Sequence, residues 1–176
     1  MDALEGKKLY EEKRPIYKRL TAKIHSMLEE LLKVEGVTVT VVESRTKKVA
    51  GFEEKINRPG KNYINPLEEI TDLSGIRIVL YSLDDVEKVS DLVSREFIVD
   101  QERSVNKLNL LDADRFGYLS QHYIVKIGEP RSNLFEWKDL RDLWAEIQVR
   151  TVLQHAWAAI QHSLDYKSEY DIPIAM

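Results

Sequence analysis

Cysteine is missing from this 176-residue chain, so no disulfide, thiolate nucleophile or cysteine-ligated zinc can take part in its chemistry. No apolar run approaches the roughly twenty residues of a membrane span. The amino-terminal stretch MDALEGKKLYEEKRP has none long enough for a secretory signal. Repeats, low-complexity tracts and interdomain linkers are absent too. A net charge of −4 argues against an indiscriminate nucleic-acid binder. What remains, 43% hydrophobic and 32% charged residues, describes an ordinary globule. It is long enough to bury a core without staples or metal, so one domain over 1–176 and a cytoplasmic location are expected.

The charge is unevenly spread. Residues 44–62 hold six Lys/Arg against two Glu, whereas 84–115 hold nine Asp/Glu against five Lys/Arg. Such clustering can focus an anionic ligand, and a solvated surface is the bland alternative.

Ile16, Leu20, Ile24, Met27, Leu28 and Leu31 recur at helical spacing, which predicts an amphipathic helix over 16–35 with Pro15 in its first turn and Gly36 as its stop. Val37, Val39 and Val41 alternate with Thr38 and Thr40 as a half-buried strand delivering Arg45. A short helix over 50–56, a turn-rich break over 58–66 and a strand over 75–81 follow. Ser82, with Asp85 three residues on, starts a helix to Arg95 whose buried side is Val86, Val89, Leu92 and Val93. Residues 97–99 begin a strand, 101–116 read as an acidic mobile loop, 118–127 and 143–149 as strands, and 151–166 as the last helix. The order implies an α+β fold: a mixed, largely antiparallel sheet of about five strands with flanking helices.

Within that frame, Glu146, Gln148 and Arg150 occupy alternate strand positions and share a face, with Ala145, Ile147 and Val149 behind them. Such a face is either a metal or phosphate site or the exposed polar side of an antiparallel strand. Four further blocks bear on the choice. They are Arg45-Thr-Lys47-Lys48 with Lys55 and Arg58; Thr71-Asp72-Leu-Ser-Gly75 leading to Arg77; Gly117-Tyr118-Leu-Ser120-Gln-His122; and a helix holding His155, Trp157 and His162 before Tyr166-Lys167. With these blocks in this order, residues 10–168 resemble the synthetase domain of the RelA/SpoT family, ATP-dependent pyrophosphokinases best known for making the guanosine alarmones (p)ppGpp. The resemblance implies a nucleotidyltransferase-like sheet. Long members of that family also carry a His-Asp-rich hydrolase domain, for which this chain has neither the residues nor the length.

Pyrophosphoryl transfer needs cations for a triphosphate, a divalent metal and an aligned hydroxyl. The resemblance places Arg45 and Arg77 around the adenine of ATP, and Lys47, Lys55 and Arg58 near its phosphates. Asp72 and Glu146 are the Mg²⁺ pair, magnesium commonly taking one or two carboxylates. Glu146 either activates or positions the acceptor hydroxyl, since a metal-bound carboxylate is a poor base. Gln148 orients acceptor or metal ligands. Tyr118 is a stacking platform for the acceptor base, with a buried core tyrosine as the rival reading. Ser120 and His122 lie on its strand face toward acceptor phosphate or ribose, and His155 and Gln161 lie on the helix that meets the acceptor. Trp157 and Leu164 are assigned to core.

The donor half keeps the family pattern better than the acceptor half. Where alarmone synthetases usually carry a lysine before the Gly-Tyr pair, an arginine after it and often a glutamate on the helix, this chain has Asp114, Leu119 and Gln161. The expected acceptor is GDP or GTP at its 3′-hydroxyl. The alternative is the 3′ end of tRNA, used by a toxic branch with similar Arg-Phe-Gly-Tyr-Leu-Ser and Gln-His-Ala-Trp-Ala segments, for which Lys7, Lys8, Lys13, Arg14, Lys18 and Arg19 would supply backbone contacts. A third reading is a nucleotide sensor without catalysis. Small synthetases often form homo-oligomers, and family members usually continue with helices past Tyr166-Lys167, so a trimmed carboxyl end is also expected.

Overall fold

The apolar faces of two helices set the layering in the computed structural model, which describes residues 3–106 and 120–168, with side chains for 3–105 and 120–160. Helix α1 (Ala3–Val34) lays Leu20, Ile24, Leu28 and Leu32 on one face of a sheet, and α4 (Leu83–Glu96) adds Val86, Val89, Leu92 and Val93. Between them the chain forms β1 (Val39–Thr46), α2 (Val49–Ile56), α3 (Pro66–Glu69) and β2 (Ser74–Leu80). After α4 come β3 (Phe97–Asn106), β4 (Gln121–Ile127), β5 (Ala145–Thr151) and α5 (Val152–Ser168). The five strands lie in the order β1-β2-β5-β4-β3, all neighbours antiparallel except β2 and β5. This is the expected α+β architecture.

Ile76, Ile78, Leu80, Val125, Ile127, Ile147 and Val149 supply the sheet side of the main core. Alternation therefore sends the intervening residues of β2, β4 and β5 to the opposite face, where the polar side chains gather. A second cluster, Tyr10, Tyr17, Phe52, Leu67, Ile70 and Leu73, joins the first half of α1 to α2, α3 and the 3₁₀ turn Thr71–Leu73.

Local signals end the elements. Gly36 stops α1 with φ 65°; its N–H donates to the Lys33 carbonyl (3.2 Å) and that of Val37 to Leu32 (3.0 Å), a Schellman closure. Ser82 caps α4 by accepting from the Asp85 N–H at 3.1 Å. Thr151 and Gln154 form a reciprocal box at the start of α5: the Thr151 N–H donates to Gln154 Oε1 (2.7 Å), and the Gln154 N–H to Thr151 Oγ1 (3.3 Å).

Several expectations need correction. Helix α1 starts at Ala3, not residue 16, and Pro15 lies inside it. Proline removes one main-chain hydrogen bond there, but the upstream turns bury Gly6 and Tyr10, a small residue and an aromatic that aliphatic spacing does not register. In β1 the valine alternation breaks at an irregularity between Val39 and Val41, which turns Val41 outward (39% exposed) and Val42 inward. Residues 101–106, read as loop, continue β3; the rest of that expected loop, and residues 118 and 119 of the expected strand, lie outside the described residues. β5 ends at Thr151 rather than Val149. Trp157 is half-exposed rather than core, and the Leu164 side chain is not among those described.

Candidate active site

Strand register brings the polar side chains into two adjacent rows on the face away from the main core. Glu43 pairs with Arg77, Arg77 with Gln148 and Gln148 with His122, a row across four strands. The next row is Arg45, Gly75, Glu146 and Ile124. Gly75 presents no side chain between Arg45 and Glu146, and a Cβ there would lie 3.7 Å from Arg45 Cγ. The result is a cleft of about 420 Å³ bounded by Glu43, Arg45, Arg77, Glu146 and Gln148, with Gly75 in its floor.

Hydrogen bonds run along these rows. Arg77 donates from Nη1 to Glu43 (3.1 Å) and from Nε to Gln148 Oε1 (3.3 Å). Gln148 Nε2 donates to Glu146 Oε2 (3.2 Å). His122 Nδ1 lies 2.8 Å from Glu146 Oε1, and its Nε2 lies 2.6 Å from Ser120 Oγ. Both oxygens of Glu146 are thus held. Burial pushes its carboxyl pKa up, but the hydrogen bond and charge of His122 outweigh that and bring it below the ordinary value; Asp72 opposes them and Gln148 assists.

Asp72 anchors a second group at the end of this face. Lys47 Nζ lies 2.5 Å from Oδ2, Lys55 Nζ 2.8 Å from Oδ1, and Arg45 Nη2 3.8 Å from Oδ2. Three separate elements converge here: the chain just past β1, helix α2 and the 3₁₀ turn. Burial again raises the carboxyl pKa, and the hydrogen bonds and charges of the two lysines more than reverse it.

Of the residues singled out from sequence, Arg45, Lys47, Lys55 and Asp72 form this ion cluster, while Arg77, Gln148, Glu146, His122 and Ser120 form the hydrogen-bonded rows. Arg58 is not drawn in; it pairs with Glu54 at 3.7 Å on the exposed side of α2. Ser120 is 1% exposed, so its hydroxyl serves His122 rather than an open surface. His155 sits in the first turns of α5, where burial first, then the charges of Arg150 and Arg77, lower its pKa against the pull of Glu43. Tyr118, with Asp114 and Leu119, lies outside the described residues, and the Gln161 side chain is not described.

The basic residues of α1 are partly committed elsewhere. Lys7 pairs with Glu53 (2.8 Å), Arg14 Nε donates to the Lys47 carbonyl (3.0 Å), and Arg19 approaches Asp139 (3.9 Å). Glu43 was missed by the sequence reading. Its signal was there, two residues before Arg45 on a strand and so on the same face.

Glu146 feels the negative charge of Asp72. Two carboxylates, one within electrostatic reach of the other, fit a divalent cation that arrives with phosphate oxygens and water. Among the described residues no group of three or more His, Cys, Asp or Glu could cage a resident metal. Nor is any helix among them long and apolar enough to cross a membrane.

Comparison with known proteins covers the same elements. Residues 44–171 match the family model described as the region found in RelA / SpoT proteins. GTP pyrophosphokinase YjbM of Bacillus subtilis (strain 168) is 29% identical over 137 residues, which are 77% of this chain and 60% of that protein. The chain therefore spans less than two thirds of that curated relative. Two solved structures of the small alarmone synthetase 1 from Bacillus subtilis are each 26% identical to the chain. The one bound to its product pppGpp has a TM-score of 0.71 over 95% of this chain and 84% of that one. The one bound to AMPCPP has a TM-score of 0.65 over 95% and 83%.

Proposed function

This chain belongs to the RelA/SpoT family, and on that premise we propose that it is an ATP-dependent pyrophosphokinase acting on the 3′-hydroxyl of GDP or GTP. The observation that carries the reading is the convergence of Arg45, Lys47 and Lys55 on Asp72, with Arg45 in the same row of the sheet as the held carboxylate Glu146. The similar small alarmone synthetase 1 has been solved bound to AMPCPP and bound to its product pppGpp, which supports nucleotides as the ligands of this site.

In the reaction, the acceptor 3′-oxygen bonds to the β-phosphorus of ATP, the bridge from that phosphorus to the α-phosphate oxygen breaks, and AMP departs with the bridging oxygen. The hydroxyl proton passes to solvent water. Arg45 and Arg77 border the cleft, where planar guanidinium groups can lie against the donor base. Lys47 and Lys55, the ammonium groups now on Asp72, turn to the triphosphate, whereas Arg58, paired with Glu54, would have to leave that partner to join them. A Mg²⁺ ion held by Asp72 and Glu146 would neutralise charge developing on the phosphate oxygens. Glu146, its oxygens fixed by His122 and Gln148, positions the attacking hydroxyl. By the family resemblance Tyr118 would stack the acceptor base, and His155 and Gln161 would contact the acceptor. Water exclusion is helped by Ile124, 3% exposed beside Glu146 in the same row.

A guanosine nucleotide is preferred to the tRNA 3′ end because Lys7, Arg14 and Arg19 have partners within the chain, which leaves a thinner basic surface on α1. The test supplies γ-labelled ATP and Mg²⁺ with GDP, GTP or deacylated tRNA. Label on the guanosine nucleotide is expected. Label on tRNA alone would overturn the acceptor assignment, and tight nucleotide binding without any labelled product would mark a sensor.

A further inference from the structure

The site's lysine is gripped from a helix segment that lies outside the family-matched region. Lys47 sits where the chain leaves β1 and has not yet entered α2. Its N–H donates to the Leu73 carbonyl at 3.0 Å, tying it to the turn that carries Asp72. Its carbonyl accepts two further bonds, from the Tyr10 hydroxyl at 2.7 Å and from Arg14 Nε at 3.0 Å. A carbonyl has two lone pairs, and α1 supplies a donor for each.

We propose that Tyr10 and Arg14 are positioning residues that fix Lys47 for its work on the donor triphosphate, a role that rests on the donor-site reading above. Tyr10 is fully buried, so its hydroxyl has no exchange with bulk water to replace the bond. Burial also pushes its pKa up to about 12, so it remains a donor through the physiological range. Its ring stacks on Phe52 of α2 with centroids 4.4 Å apart at 21°, which ties the same clamp to the helix bearing Lys55. Thr21 pins the flanks: its hydroxyl lies 3.0 Å from Thr46 Oγ1 and 2.8 Å from Ser74 Oγ, one residue before Lys47 and two after Asp72. An ammonium group on a long, rotamer-rich side chain contributes to phosphate binding only when its main chain does not wander, because misplacement by about 1 Å can cost on the order of a hundredfold in rate. Arg14 spends its Nε on a main-chain oxygen, which is what a clamp requires.

The test combines Tyr10→Phe and Arg14→Met, which remove both donors and keep the aromatic ring and the length of the arginine stem. ATP and acceptor affinities are measured by calorimetry, with melting curves to confirm folding, in the native and Lys47→Ala backgrounds. The clamp predicts a rise of about tenfold in the ATP dissociation constant, an acceptor constant unchanged within about twofold, and less than about twofold further loss once Lys47 is alanine, because effects acting through one residue do not add. Unchanged ATP affinity in the folded double variant, or an equal loss in both backgrounds, would overturn it. If Lys47→Ala alone leaves ATP affinity unchanged, the donor role of Lys47 fails and the clamp's function falls with it. Arg14→Met alone, at a half-buried position, gives a milder version of the same comparison should the double variant not fold.

Discussion

Replacing Glu146 with glutamine separates the chemical role of its charge from its structural one. The two side chains are nearly isosteric, so the cost to folding can be read from the hydrogen bonds. Oε1 lies 2.8 Å from His122 Nδ1 and Oε2 accepts from Gln148 Nε2 at 3.2 Å. Glutamine keeps an oxygen for one of these and turns an NH₂ toward the other. Gln148 cannot readily reverse its amide to accommodate that, because its Oε1 already accepts from Arg77 Nε at 3.3 Å. At most one bond is lost, and none if His122 switches tautomer to accept the new NH₂ at Nδ1; the loss is worth about 1–3 kcal/mol with a charged partner, or a few degrees of melting temperature for each kcal/mol in a chain of this size. Against a typical stability of about 5–15 kcal/mol, the variant stays folded. Turnover should fall much further, by about two to three orders of magnitude, the size of effect seen when one preorganised electrostatic group is removed. The assay follows AMP release at saturating ATP and GDP beside a melting curve on the same sample. Near-normal turnover from the folded variant would remove Glu146 from the catalytic centre.

Arg45→Ala should weaken ATP binding by about 1–3 kcal/mol through loss of a stacking or charge-assisted contact, with acceptor affinity unaltered; calorimetry showing native ATP affinity would count against the cleft as the donor site. Ile147→Ala, at a fully buried position, should cost about 2–5 kcal/mol in denaturant unfolding, whereas Val41→Ala, turned outward by the irregularity in β1, should stay within about 0.5 kcal/mol; comparable costs would mean the register of β1 is wrong. Asp72 and Glu146 are both held below their ordinary values of 3.8 and 4.5, so the unfolded chain binds more protons than the folded one in that range. Their contribution is then complete above the unfolded values and is lost as pH falls through the folded ones. Urea midpoints should be insensitive to these two groups between about pH 6 and 8 and should drop on acidification below about pH 4; a midpoint that rises on acidification would contradict the sign.

The existence of the five strands and of α4 with its four buried residues was legible because apolar patterning and the Ser82 cap are local, although the valine alternation put Val41 on the wrong face and β3 runs on through residues read as loop. The family blocks also marked Asp72, Glu146, Gln148 and the basic segment before they could be seen to converge. What the sequence could not yield were relations between distant elements. The clamp on Lys47 joins residues 37 and 33 positions apart, and nothing local in Tyr10 or Arg14 distinguishes a clamp from a surface helix. The first half of α1 was lost for a related reason: its buried face is Gly6, Tyr10 and Tyr17 rather than aliphatic, and Pro15 reads as a start when tertiary packing carries the helix through it. Trp157 fell to the opposite error, since helical spacing gives a stripe without saying whether anything covers it.

Pyrophosphoryl transfer is tested most directly by ³¹P NMR of the protein with ATP, Mg²⁺ and GDP. The account predicts AMP in one-to-one ratio with GDP consumed, together with a new pair of coupled phosphorus resonances from a 3′-diphosphate. ADP as the nucleotide product, whether with free phosphate or a monophosphorylated acceptor, would contradict it.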